Sequence, residues 1–229
     1  VRDAIDTFDI ATPGVFHATY LGEVTDVQDP ESLGRVQIKL LNLEHVNDNS
    51  NRIWARVAVP FAGNNRGAFM LPDVGDEVLI QFVNGDARLP IVVGGLWNGS
   101  ATPPETLGGS NVDRWTIVGK AGTRIAIVEE SSPTIALTTP GAVSATLTDE
   151  GGGKIEIKAA GTTITVDSQG VSVQTPAKVT VQASQVEVSA GMVKVDAAMS
   201  TFSGLVKCDV LQTNTVIASA YTPGAGNIW

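Results

Sequence analysis

The chain has 229 residues, 43% apolar, 5% aromatic and 17% charged, with one Cys and a formal net charge of -9. That apolar share argues against global disorder, and the acidic balance argues against a general binder of nucleic acid or anionic membrane, which needs a basic face. A single cysteine, Cys208, excludes an intramolecular disulfide framework and a cysteine-rich zinc site.

Residues 1–14 read as an N-terminal arm, in which Val1–Ile10 alternate charged and apolar residues as a short helix or an ordered arm. No basic-then-apolar leader opens the sequence, and no apolar run approaches the roughly 18 residues of a spanning helix. Abundant Thr and Val lean toward strand, so a soluble, mostly β protein is expected.

A first domain is placed at residues 15–99, with five strands expected at His17–Val27, Arg35–Leu41, Ile53–Val59, Glu77–Val83 and Pro90–Leu96. In the second, Val36, Ile38 and Leu40 face one way while Arg35, Gln37 and Lys39 face the other. Glu44–Asn51 reads as a polar loop, Pro60–Pro72 as a long connection and Asn84-Gly85-Asp86 as a tight turn. Five short strands in about 80 residues suit a small closed barrel of the OB type better than a sandwich. Trp54, Phe61, Phe69, Phe82 and Trp97 are the expected bulky core residues.

Asn-Gly and Pro-Pro breakers mark residues 100–114 as a linker. In residues 115–219 short alternating strands recur: Thr116–Val118, Arg124–Val128, Thr134–Leu137, Lys154–Ile157, Thr163–Val166, Val171–Val173, Val179–Val181, Val186–Val188 and Val193–Val195. The apolar pairs starting at Ile164, Val171, Val179, Val186 and Val193 repeat every 7 or 8 residues. So narrow an apolar stripe cannot bury itself in one chain, which predicts an intertwined threefold β-prism; an ordinary β meander is the simpler alternative. Residues 220–229 form a C-terminal tip segment.

Leu21-Gly22-Glu23-Val24, Asp29-Pro30 with Leu33-Gly34-Arg35-Val36, Trp54-Ala55-Arg56-Val57, Arg66-Gly67, Val74-Gly75-Asp76-Glu77 and Gly94-Gly95-Leu96-Trp97 together resemble the OB domain of contractile-tail spikes. The family is the phage baseplate assembly protein V and central spike group, which includes the VgrG-like proteins of type VI secretion. The resemblance covers about residues 15–104. It implies an all-β homotrimer, an OB barrel followed by a trimeric β-helix. Such a spike would attach to a baseplate hub on its N-terminal side and be driven mechanically into the target envelope. It also implies assembly in the bacterial cytoplasm into a phage tail or injection particle. There is no room between barrel and shaft for the lysozyme-like domain of some relatives. The iron-binding His-x-His pair of some spike tips is absent, since the histidines are His17 and His45. A separate PAAR-type cap is therefore expected at the tip, and Tyr221, Pro223, Ile228 and Trp229 are the tip or cap-docking candidates, a simple closing plug being the alternative.

Arg35, Arg56 and Arg66 stand in an acidic domain, so each is expected to pair with a carboxylate or to contact the hub or a neighbouring subunit. No catalytic constellation is expected. His17 and His45 lack triad partners, Cys208 reads as an inert, partly buried thiol, Glu129 and Glu130 as strand neighbours facing opposite ways, and Gly151-Gly152-Gly153-Lys154 as a loop. Neither a cofactor nor a metal is expected. The competing classes are an OB-type oligonucleotide-binding module and a trimeric fibre or adhesin.

Overall fold

In the computed structural model, which describes residues 18–41 and 52–220, the alternation around Ile38 becomes a strand with one buried face. β1 (Tyr20–Asp26), β2 (Val36–Leu40) and β3 (Arg52–Val57) pair antiparallel in chain order. β4 (Ala62–Gly63) and β5 (Arg66–Gly67) make a small hairpin inside the long connection. β6 (Glu77–Phe82) and β7 (Pro90–Leu96) then close a barrel in the order β1-β2-β3-β7-β6. The β3–β7 contact is parallel and the other barrel pairs are antiparallel, the OB arrangement expected from the five segments. The Asn84 turn is tighter than a plain hairpin: Val83–Gly85 form a single 3-10 turn with Asn84 at φ 52°.

Val24, Val36, Ile38, Ala55, Val78, Ile80 and Val92 fill the barrel, joined by Leu40 and Phe82. A five-stranded barrel is narrower than the eight-stranded kind that side chains just fill, so mid-sized β-branched residues fit where large rings do not. This corrects the expected core. Of the five bulky aromatics, Phe82 is buried, edge-on to Tyr20 at 5.5 Å between centroids, and Trp54 is half-buried. Phe61, Phe69 and Trp97 lie outside, 62%, 83% and 69% exposed. Packing is close at Gly22, where a Cβ would lie 2.3 Å from Ile80 Cδ1 and 3.1 Å from the Lys39 carbonyl oxygen, so a larger residue would have to displace the buried Ile80 side chain.

The second sheet follows. β8 (Arg114–Val118), β9 (Arg124–Val128), β10 (Thr134–Thr138), β11 (Ser144–Thr148), β12 (Lys154–Ala159), β13 (Thr162–Asp167) and β14 (Gly170–Gln174) form one antiparallel meander in chain order. Within residues 114–174, then, each strand pairs with its sequence neighbours in the same chain, as in the simpler alternative. β11 has no counterpart among the expected strands. Its sequence, Ser-Ala-Thr-Leu-Thr, carries a single large apolar residue, and hydrogen bonding between two flanking hairpins recruits it.

The chain divides into two compact units, Val1–Lys178 and Val179–Trp229. In the second unit residues 179–220 hold no strand, and the repeating valines from Val179 to Val195 are exposed.

Candidate functional site

The register of the seven-stranded sheet sorts its residues into two faces, because successive side chains on a strand point to opposite sides. Cross-strand pairing runs Trp115–Ile127–Ile135–Leu147–Ile155–Val166–Val171 as one continuous ladder. Beside it runs Ile117–Ile125–Leu137–Ala145–Ile157–Ile164–Val173. Thirteen of these fourteen side chains are large and apolar, and those thirteen are between 36% and 72% exposed. A trough of about 690 Å³ follows the first ladder, lined among others by Ile127, Ile135, Leu147, Ile155 and Val166. The opposite face carries Thr116, Thr134, Thr146, Thr148, Glu156, Lys158, Thr163 and Thr165, with Thr134 donating to Thr148 Oγ1 at 2.9 Å. An antiparallel sheet normally turns its apolar face to a core; here no described residue covers it.

Ion pairs fix the base of this sheet. Glu105, from the linker, accepts from Thr116 Oγ1 at 2.8 Å and from Arg124, and lies 3.6 Å from Arg114. Arg114 also bonds Asp113 at 2.9 Å and Glu130, and these carboxylates, Asp113 foremost, raise its pKa further. Lys120, in the β8–β9 turn, pairs with Asp73 of the barrel and holds that carboxyl below its ordinary range.

The structure separates the three arginines singled out in the sequence. Arg35 is an internal brace: Nη2 bonds Asp29 Oδ1 at 2.7 Å and Glu31 at 3.1 Å, and its guanidinium stacks 5.9 Å from the Trp54 ring centroid. Asp29, whose side chain is 4% exposed, also accepts backbone N–H groups of Glu31, Leu33 and Arg35. Arg35 foremost, helped by these amides, holds the Asp29 carboxyl well below the usual carboxylate range. Arg56 is exposed on β3 and has no ion pair among the described residues. It shares a cleft of about 420 Å³ with Arg35, Trp54, Leu33, Leu89 and Arg88. Arg66 lies elsewhere, on the β4–β5 hairpin, its guanidinium against Gly63. Arg88 is the residue the sequence reading missed. It closes a local Asp86-x-Arg88 turn with a 2.7 Å ion pair, and that pair lowers the Asp86 pKa to about 2.

Two further expectations are corrected. Glu129 and Glu130 follow β9 in a turn rather than alternating along a strand. Cys208 is exposed in the single chain rather than partly buried. Residues 151–153 are a connection, as expected, with all three glycines at positive φ, which glycine adopts without steric cost. Among the described residues no three His, Cys, Asp or Glu side chains gather to hold a metal ion. His17, His45, Tyr221, Pro223, Ile228 and Trp229 lie outside the described residues.

A closed five-stranded barrel of this strand order defines the first part of the chain as an OB domain. Residues 20–97 match the family model of the type VI secretion system/phage-baseplate injector OB domain. The same region is 34% identical over 95 residues to the actin cross-linking toxin VgrG1 of Vibrio cholerae, covering 41% of this chain and 9% of that protein. It is 35% identical over 78 residues to the type VI secretion system spike protein VgrG1a of Pseudomonas aeruginosa, covering 34% of this chain and 12% of the relative. To VgrG4b of the same organism it is 36% identical over 75 residues, 32% of this chain and 9% of the relative. The N-terminal barrel is thus an injector OB domain homologous to those of VgrG spike proteins, and the aligned region spans about a tenth of each of these relatives.

Proposed function

We propose that this chain is the structural central spike of a contractile tail or injection machine and works as a homotrimer. The single observation that carries the reading is the two-ladder apolar face, uncovered in one chain and placed directly after a VgrG-type OB domain. Contiguous apolar surface of this extent marks an interface. Three copies would turn their sheets inward around a common axis and bury all three faces. The repeating valines beyond Val179 would continue the shaft as an intertwined β-helix, where backbone groups without a partner in one chain find one in the next.

The function is mechanical rather than catalytic. The barrels join the baseplate hub on the N-terminal side, the shaft transmits axial load, and a PAAR-type cap docks on the C-terminal tip. Assembly takes place in the bacterial cytoplasm, and contraction drives the spike into the target envelope. The names of the relatives, several of them type VI secretion spike proteins, support the family of machine.

Solution mass is the test. Light scattering after size exclusion should give about 71 kDa, three chains of 23.8 kDa. A 23.8 kDa monomer at micromolar concentration would sink the spike reading.

A further inference from the structure

The hairpins of the seven-stranded sheet alternate between its two edges, and the charges do not alternate with them. One edge carries six carboxylates, Asp113, Glu129, Glu130, Asp149, Glu150 and Asp167, against two cations, Arg114 and Lys154 at the starts of β8 and β12, and Arg114 is paired to Asp113 and Glu130. The other edge carries Lys120 and Arg124 by the β8–β9 turn, Lys158 at the end of β12, and Lys178 just past β14. No carboxylate occupies the turns on that side: they read Gly-Lys-Ala-Gly-Thr, Thr-Pro-Gly-Ala-Val and Ala-Gly. Turns on one edge are two strands apart, roughly 9.6 Å, so each edge is a vertical row, one net acidic and the other with no carboxylate in its turns. Asp149 and Glu150 are exposed and have no ion pair among the described residues, whereas Lys158 is half-exposed and bonds Glu156 of its own strand at 2.6 Å.

We infer that the acidic edge of one copy docks against the basic edge of the next, and that this head-to-tail contact closes the ring of sheets. The inference rests on the trimer reading and says which surfaces meet. A cyclic trimer is built from heterologous contacts, two different patches of the same chain, repeated until the ring closes. This sheet has two such patches, of opposite sign, flanking the apolar ladders on either side. With the ladders facing inward, Lys158 of one copy stands at the height of the 149–153 and 167–170 turns of its neighbour, where the free carboxylates are. Acidic-to-acidic closure would set two such rows against each other, so the charge pattern also rejects the wrong pairing.

Charge exchange in the full chain tests this. Asp149→Lys with Glu150→Lys makes the acidic edge basic; Lys158→Glu with Lys178→Glu makes the basic edge acidic. Each pair alone should raise the concentration for half-assembly about tenfold at low salt, with the difference shrinking at 1 M salt. All four changes in one chain should restore assembly, because every contact again joins opposite signs. If the acidic-edge variant assembles like the wild type at low salt, or the fourfold variant fails to recover, the edge pairing is wrong while the trimer stands. A monomeric wild-type chain removes the trimer itself.

Discussion

Arg35 illustrates how a residue that reads as an interface candidate is absorbed by its own loop. Its guanidinium neutralises Asp29, and that carboxylate organises the turn from Asp29 to Arg35 through three backbone amides. Because the folded pKa of Asp29 is depressed, its contribution to stability is fully present above the unfolded value near 4 and is lost as pH falls through the lower folded value. Asp29→Asn should therefore lower the barrel's Tm by several degrees at pH 7, and the gap to the wild type should narrow below about pH 4. Thermal melts of both proteins from pH 7 down to pH 2.5 check this; a gap that is constant with pH would show that the carboxylate charge is not what matters. Core and surface are separable at the same scale. Ile38→Ala, at a fully buried site, should cost about 2–5 kcal/mol in denaturant unfolding. Phe69→Ser should stay within about 0.5 kcal/mol, since its ring is 83% exposed.

At the scale of elements, legibility followed how much the side chains alone decide. Pro90–Leu96 and Arg124–Val128 were placed to the residue because alternation and flanking turns agree there. Ser144–Thr148 was invisible because hydrogen-bonding neighbours, not its composition, make it a strand. Phe61, Phe69 and Trp97 misled for a geometric reason: large rings usually go inside, but a barrel of five strands has no room. The cleft around Arg56 and Trp54 was half legible, since its third cation, Arg88, enters only through the Asp86 turn. The apolar ladders were readable as periodicity, whereas their sharing of one face required the register. Register also supplies the test. Ile135→Asp places a charge in the middle of the first ladder, where in the trimer it would be buried without a partner. The variant should remain soluble and run as a monomer, the loss of trimer amounting to more than about a hundredfold weaker assembly. Thr146→Asp, one residue from Leu147 but on the opposite face, should assemble normally. If both variants trimerise equally, the apolar face is not the interface.

For the whole molecule, the question is whether residues 179–220 gain their structure from the other chains. In one chain they hold no strand, yet Val206, Cys208 and Val210 alternate with the charged Lys207 and Asp209. Alternation of this kind assigns all three to a single face, and in a threefold shaft that face is the interior. Cys208 is exposed in the isolated chain, so its thiol reports directly on whether that face is covered. In the assembled protein a maleimide should label Cys208 at least about tenfold more slowly than in the chain unfolded by denaturant, because the thiolate must reach solvent to react. Dilution or the Ile135→Asp substitution should return the rate to the unfolded value if the shaft forms only through trimerisation. Fast labelling of a protein with trimer mass would mean that the trimer is held by the first sheet alone. The valine repeat would then line an open surface, and a rigid shaft could not extend past Lys178.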